Sequence, residues 1–119
     1  MTTTVLIVDD HPTFRRFARQ LLEDAGFDVV GEVGDGAGAI AAVRELRPAA
    51  VLLDVLLPDR SGLEVAAALA DSDDPPDVVL TSSRSARDLG VALDEARTRG
   101  FIPKAGLTGK AFAALLERA

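Results

Sequence analysis

The chain of 119 residues contains no cysteine. This absence excludes a disulfide framework and a Cys-ligated zinc site, and it permits a reducing, intracellular compartment. The apolar runs are all too short to span a bilayer. The N-terminal segment MTTTVLIVDDHP lacks the basic region of a signal peptide. We therefore expect a cytoplasmic protein without a membrane partner.

Basic residues are scarce, with 13 Lys and Arg against 19 Asp and Glu and a formal net charge of −6. Non-specific binding to nucleic acid depends on Lys and Arg side chains that displace counterions from phosphates. An acidic domain without a basic stripe is a poor candidate for that contact. We expect no direct binding to nucleic acid, although the domain could control a DNA-binding partner or an attached domain.

The chain also lacks internal repeats and low-complexity segments. Its most linker-like stretch, residues 72–76 (SDDPP), is too short to separate two domains and indicates a loop. Apolar residues make up 48% of the chain and charged residues 27%, as in an ordinary globular domain. We predict a single domain over residues 1–119.

Short apolar runs alternate with helical patterns. The runs, which suit strands buried on both faces of a parallel sheet, lie at residues 5–8, 29–33, 50–53, 78–80 and 101–102. Helical spacing of apolar residues predicts helices near residues 14–25, 37–46, 62–69, 85–100 and beyond 108. This βαβαβαβαβα order predicts an α/β fold with a parallel sheet between two layers of helices.

Two of these helices have predicted inward faces. In the first helix the apolar stripe is Phe14, Phe17, Ala18, Leu21, Leu22 and Ala25, and in the second it is Ile40, Val43 and Leu46. Pro12 suits the first turn of the first helix, and Gly26 suits its left-handed end.

Polar residues follow the predicted strands. Asp9 and Asp10 follow the first strand, Asp54 the third, Thr81 the fourth and Lys104 the fifth. In open parallel sheets ligands bind at these carboxyl ends. Carboxylates that lie close together repel one another unless a cation joins them, and Mg²⁺ is a natural partner. A carboxylate can attack phosphorus, with an ammonium and a hydroxyl meeting the phosphoryl oxygens.

Four segments, VLIVDDHPTFRR, LLDVLLPDRSG, VVLTSS and FIPKAG, resemble the signature segments of the response-regulator receiver family (the CheY-like superfamily). They occur in order and cover essentially the whole chain. The segments around Asp10 and Lys104 resemble the branch that is often fused to a LuxR/NarL-type helix-turn-helix domain. The resemblance implies a doubly wound (βα)5, flavodoxin-like three-layer sandwich with a five-stranded parallel sheet in the order 2-1-3-4-5.

The resemblance also implies a metal site. Asp10 matches the direct Mg²⁺ ligand, and Asp9 matches the acid that helps to hold the metal, often through water. Asp54 and the backbone carbonyl of Leu56 match the other protein ligands.

The resemblance further implies a phosphoryl switch. Asp54 matches the phosphoacceptor, Lys104 the cation that pairs with the phosphoryl group, and Thr81 the hydroxyl that swings toward it. Phe101 falls on the aromatic switch position, although an ordinary strand aromatic is nearly as good an interpretation. The output surface would comprise the fourth helix, the fifth strand and the fifth helix.

The partners that the resemblance implies are a sensor histidine kinase or phosphotransfer protein and a downstream effector or attached output domain. Arg15, Arg16 and Arg19 on the first helix could dock the kinase, whereas a solvated polar face is the plainer interpretation. A phosphorylation-dependent homodimer is a further hypothesis, with a charged contact formed by Arg84, Arg87, Asp88 and Asp94.

The predicted function is that of a receiver in two-component signal transduction, which catalyses its own phosphorylation and dephosphorylation and is otherwise not an enzyme. The alternative is a pseudo-receiver that binds partners without phosphorylation. A haloacid-dehalogenase-type phosphatase needs an acid at Leu56, and a flavodoxin-like electron carrier needs a loop without the acids Asp9 and Asp10. We expect a structural or solvent role for His11. The chain is consistent with a stand-alone receiver, which we favour, and with the N-terminal domain of a longer transcription factor.

Overall fold

The computed structural model describes residues 2–84 and 97–117. These residues form five strands and four helices: β1 (Thr4–Val8), α1 (Pro12–Asp24), β2 (Asp28–Val33), α2 (Gly36–Leu46), β3 (Ala50–Asp54), α3 (Gly62–Ala70), β4 (Asp77–Ser82), β5 (Gly100–Pro103) and α4 (Gly109–Leu116). A short 3₁₀ helix, Lys104–Gly106, links β5 to α4. Most of the helix predicted near residues 85–100 lies outside the described residues, as do Arg87, Asp88 and Asp94.

The strands form one parallel sheet in the order β2-β1-β3-β4-β5. This confirms the predicted flavodoxin-like order. Ala50 to Leu53 and Val5 to Val8 are buried and pair in register at the centre of the sheet. Continuous apolar sequence is what such doubly covered strands require. All five strands run the same way, so their carboxyl ends meet at one edge.

Side chains that alternate along each strand point into two separate cores. Leu6 and Val8 pack on the side that carries α2 and α3, together with Leu53 and Val65. Val5 and Ile7 pack on the other side, which carries α1 and α4, and there Phe112 is fully buried. The period of two in a strand therefore produces the predicted three layers.

Local sequence signals set the ends of the helices. Pro12 begins α1, and Gly26 follows it with a φ of 97°, a conformation that suits glycine. The side chain of Thr108 accepts a 3.0 Å hydrogen bond from the amide of Ala111 and so caps α4. These boundaries confirm the predicted ones.

The start of α2 has two acidic caps. Asp35, the N-cap residue, accepts a hydrogen bond from the amide of Gly38 at 2.6 Å. Asp59, from the loop after β3, accepts hydrogen bonds from the amides of Gly36 at 2.8 Å and Ala37 at 3.0 Å. Carboxylates satisfy the free amides of a helix N-terminus and suit its dipole. This contact ties the loop after β3 to α2.

Two residues predicted to face inward are exposed. Phe17 is 53% exposed because α1 centres its buried stripe on Ala18 and Leu22, which leaves Phe17 at the margin. Leu46 is 42% exposed because it ends α2 over Gly31 of β2, the outermost strand on that side of the described sheet. Among the described helices, none is long and apolar enough to cross a membrane.

Candidate functional site

Asp54 ends β3 with its carboxylate buried at the carboxyl edge of the sheet. It lies beside Thr81 in the register of β3 with β4. Its Oδ1 accepts a 3.0 Å hydrogen bond from the amide of Leu56, and its Oδ2 lies 3.1 Å from Nζ of Lys104. Burial of a carboxylate is costly unless partners satisfy it, and these two contacts provide that compensation.

Asp9 follows β1 and is fully buried. Its amide donates to the carbonyl of Val33 at 3.0 Å, which holds this residue next to the end of β2. Its Oδ1 accepts from the amide of His11 at 2.8 Å, and its Oδ2 lies 2.7 Å from Nζ of Lys104. Lys104 therefore bridges two buried carboxylates, one directly after β1 and one at the end of β3.

Asp10 and His11 lie close to Asp9 and Asp54 and form with them a cluster of three acids and one histidine. The Nδ1 atom of His11 lies 3.1 Å from Oδ1 of Asp9 and 3.1 Å from Oδ1 of Asp10. One potential ligand atom from each of Asp9, Asp10, His11 and Asp54 can be chosen so that all lie within 4.8 Å of one another. Carboxylate oxygens at this spacing are the donors that a hard divalent cation prefers. His11, for which we expected a structural or solvent role, therefore lies among the potential metal ligands.

The charged groups of the cluster shift one another's pKa values. Burial raises the pKa of Asp54 above its ordinary value of 3.8. The amide of Leu56 and the ammonium of Lys104 act to lower this pKa, whereas the negative charge of Asp9 acts to raise it further. Burial also acts to raise the pKa of Asp9, but Lys104 and the amide of His11 outweigh it and hold that pKa below 3.8. Burial acts to lower the pKa of Lys104, but the two carboxylates raise it above 10.5. Of the two buried carboxylates, Asp54 is therefore the one whose charged form the surroundings disfavour, and a nearby cation would favour that form.

Thr81 is fully buried, and its hydroxyl donates a 2.6 Å hydrogen bond to the carbonyl of Ile102. Phe101, which precedes Ile102 in β5 and pairs with Leu80 of β4, is partly buried against the core on the α2 and α3 side. Leu56 leaves 46% of its surface exposed and forms an isolated bridge with Ser61. The predicted site residues other than Phe101 and the arginines therefore lie at the carboxyl ends of the strands or in the loops that follow them.

Gly62, the first residue of α3, has a steric role in the loop beside Asp54. The chain turns back after β3, and the amide of Gly62 donates to the carbonyl of Val55 at 2.7 Å. A Cβ atom at Gly62 would overlap the backbone carbonyl oxygen of Asp54. Glycine at this position allows the close approach that shapes the loop beside Asp54.

Comparison with known proteins agrees with this geometry. The family model of the response regulator receiver domain matches residues 5–115. The chain belongs to the response-regulator receiver family. Relatives of this receiver domain include the nitrate/nitrite response regulator NarP of Escherichia coli (strain K12), 43% identical over 102 residues, which are 84% of this chain and 47% of that protein. They also include the DNA-binding response regulator MtrA of Mycolicibacterium smegmatis, 38% identical over 94 residues, 79% of this chain and 41% of that protein.

Among solved structures, this receiver domain is similar to the signal receiver domain of the response regulator NarL from Mycobacterium tuberculosis. The TM-score is 0.84 with 29% sequence identity, and the match covers 98% of both chains. The chain spans less than half the length of the curated relatives named above. The family and the similarity to NarL-type regulators that the sequence motifs predicted are both confirmed.

Two of the three arginines of the receiver's first helix are held within the molecule. Arg15 donates from Nη1 to the carbonyl of Asp9 at 2.6 Å, and its Nε lies 3.4 Å from Glu32. Arg19 pairs with the same Glu32 through Nε at 2.6 Å. Arg16 is exposed. Arg15 and Arg19 are thus partly exposed and paired with Glu32, which β2 brings against α1. Kinase docking by the three arginines stays a prediction.

Phe14, which the sequence indicated as an inward residue of α1, also reaches the site. Nζ of Lys104 lies 4.4 Å from the centroid of its ring. No motif signalled this contact, since the two residues are far apart in the sequence. It is formed because α1 and the turn after β5 meet at the same edge of the sheet.

Proposed function

We propose that this receiver domain accepts a phosphoryl group on Asp54 in a Mg²⁺-dependent reaction. The donor is a phosphohistidine on a sensor histidine kinase or phosphotransfer protein. The observation that carries the proposal is the buried Asp54 carboxylate, which shares Lys104 with Asp9 beside Asp10. A buried carboxylate next to an ammonium and further acids suits nucleophilic attack on phosphorus better than a structural role.

The residues present fit a Mg²⁺ ion by the chemistry of their donor atoms. Asp9, Asp10 and Asp54 offer carboxylate oxygens within reach of one another, and the family pattern adds the backbone carbonyl of Leu56. When bound, Mg²⁺ supplies positive charge that offsets the repulsion between the acids and attracts phosphoryl oxygens. The pKa of Asp54, which burial and the charge of Asp9 raise, supports this assignment, because a bound cation would offset both effects on the carboxylate.

The protein's own residues carry the transfer. A carboxylate oxygen of Asp54 attacks phosphorus, the bond from phosphorus to the donor nitrogen breaks, and its electron pair returns to the imidazole. Lys104, already 3.1 Å from Asp54, stays to pair with the new phosphoryl oxygens. The enclosed position of Asp54 limits the access of water to the product. The chemistry is confined to the domain's own side chain, so it is a switch rather than an enzyme with a separate substrate.

We propose that Thr81 and Phe101 pass this event to the surface. The Thr81 hydroxyl is bound to the carbonyl of Ile102, directly after Phe101. Exchange of that carbonyl for a phosphoryl oxygen would release the β5 backbone and allow Phe101 to repack. The surface that changes would comprise β5, the final helix and the segment before β5. It would bind an effector or an attached output domain, or it would support a homodimer. This domain itself would not contact nucleic acid.

The test is to incubate the protein with acetyl phosphate and Mg²⁺ and to measure the intact mass. We expect a phosphoryl adduct that hydroxylamine removes and that is lost with EDTA or in Asp54→Asn. Asp28→Asn, at an exposed aspartate of β2, should retain the adduct. If the wild-type protein forms no adduct, the phosphoryl-acceptor proposal fails and a phosphorylation-independent receiver takes its place.

A further inference from the structure

Lys104 has an uncharged partner as well as its two acids. Its ammonium lies 2.7 Å from Asp9, 3.1 Å from Asp54 and 4.4 Å from the centre of the Phe14 ring. The lysine side chain is only 14% exposed. The face of an aromatic ring attracts a cation through its quadrupole, and the attraction grows when water is excluded. The contact between the ammonium and the ring is therefore attractive, and it lies where little water reaches the lysine side chain.

The position of Phe14 does not depend on the acids. Phe14 lies in the first turn of α1 and packs against the core that contains Leu22 and Phe112. Its ring also contacts the half-exposed Phe17, with centroids 6.2 Å apart. The ring is thus fixed by packing within the α1 side of the domain, and it can act as a rigid support.

A rigid neutral support has a specific value at this site. The lysine side chain has a flexible four-carbon stem, and confining it costs conformational entropy. Its carboxylate partners change charge or contacts when a metal binds or when Asp54 is modified, whereas the ring does not. Because the ring carries no negative charge, it holds the ammonium without competing with the phosphoryl oxygens as an ion-pair partner.

We propose that Phe14 is a positioning residue that holds the Lys104 ammonium over the Asp54 carboxylate. The role in transfer rests on the proposed function, while the contact itself can be measured separately. Phe14→Leu removes the ring and keeps an apolar side chain in the core. Phe14→Tyr keeps the ring face. Phe17→Leu is the matched control, since it removes a neighbouring ring of the same helix.

The first measurement is the NMR spectrum of protein labelled with ¹³C-lysine, which has few signals because the sequence contains no lysine apart from Lys104 and Lys110. We expect the ring current of Phe14 to move the ε-proton signal of Lys104 upfield of that of Lys110. Phe14→Leu should return Lys104 toward Lys110, whereas Phe14→Tyr and Phe17→Leu should leave it in place. An unchanged Lys104 signal in Phe14→Leu would overturn the proposal.

The second measurement is the rate of phosphorylation by acetyl phosphate, a small donor that needs no kinase docking. Loss of a contact of this kind predicts a rate about 3- to 10-fold lower in Phe14→Leu. Phe14→Tyr and Phe17→Leu should keep the wild-type rate, and circular dichroism would show that each variant is folded. An equal loss in Phe14→Leu and Phe17→Leu, or no rescue by tyrosine, would indicate general packing and refute the positioning role. If the wild-type protein accepts no phosphoryl group, the proposed function and the positioning role fall together, even if the ring-current shift is present.

Discussion

The hydroxyl of Thr81 donates a 2.6 Å hydrogen bond to the backbone carbonyl of Ile102, so the end of β4 is tied to β5 by a side chain as well as by the sheet. Thr81 also lies beside Asp54 in the register of β3 with β4. One residue therefore touches both the candidate phosphoacceptor strand and the strand that carries Phe101. A change in the partner of this hydroxyl would act on both.

We expect Thr81→Val, which keeps the shape and removes the hydroxyl, to lower the free energy of unfolding by about 1 kcal/mol, because it removes a buried hydrogen bond. Thr81→Ser should retain most of the stability. Urea unfolding followed by circular dichroism measures the difference. Equal stability of the wild-type protein and Thr81→Val would mean that the bond to Ile102 contributes nothing to the fold.

Gly62→Ala tests the close approach of the loop to Asp54. The added methyl would overlap the carbonyl oxygen of Asp54, so the loop must shift at a cost of about 1–3 kcal/mol. Gly106→Ala is the matched control, since a Cβ there would make only ordinary contacts with Pro103. Thermal unfolding of the two variants should separate them clearly. Equal midpoints would contradict the steric argument.

Charge reversal at Arg15 and at Arg16 should distinguish a role within the domain from a role in kinase docking. Arg15→Glu breaks the contacts with the Asp9 carbonyl and Glu32, so it should lower the stability by about 1–2 kcal/mol. It should also slow phosphorylation by acetyl phosphate. Arg16→Glu leaves these contacts intact and should slow transfer only from an autophosphorylated sensor kinase. Docking through Arg16 is refuted if both donors react with Arg16→Glu at wild-type rates.

The Asp59 cap predicts a pH dependence of stability. The amides of Gly36 and Ala37 hold the pKa of Asp59 below its ordinary value of 3.8. A carboxyl with a lowered folded-state pKa stabilises the fold above its unfolded pKa, and this contribution is lost as the pH falls through the folded value. The stability difference between wild type and Asp59→Asn should therefore be constant near neutral pH and shrink below about pH 4. Asp73→Asn, in an exposed loop, should show no such trend in urea unfolding at each pH, and a pH-independent difference for Asp59→Asn would exclude the cap as its cause.

The fold was predictable because its determinants are local and periodic. The buried strands are continuous apolar runs, such as residues 5–8, and the helices begin and end at Pro12, Gly26 and Thr108 as the sequence indicated. The parallel order of the strands then brought Asp9, Asp54 and Lys104 together. Periodicity was less reliable at the margins of helices, where Phe17 and Leu46 are apolar but exposed.

The layers of the domain, the polar residues at the carboxyl edge of its sheet and its family were all predictable from the sequence, because strand and helix patterns lie in neighbouring residues. The contacts around those residues depend on the packed fold: Glu32 lies beside Arg15, Phe14 lies under Lys104, and Asp59 caps the start of α2. Each of these contacts joins residues that are distant in the chain. Their formation depends on the relative position of packed elements and on side-chain rotamers, which no local pattern encodes.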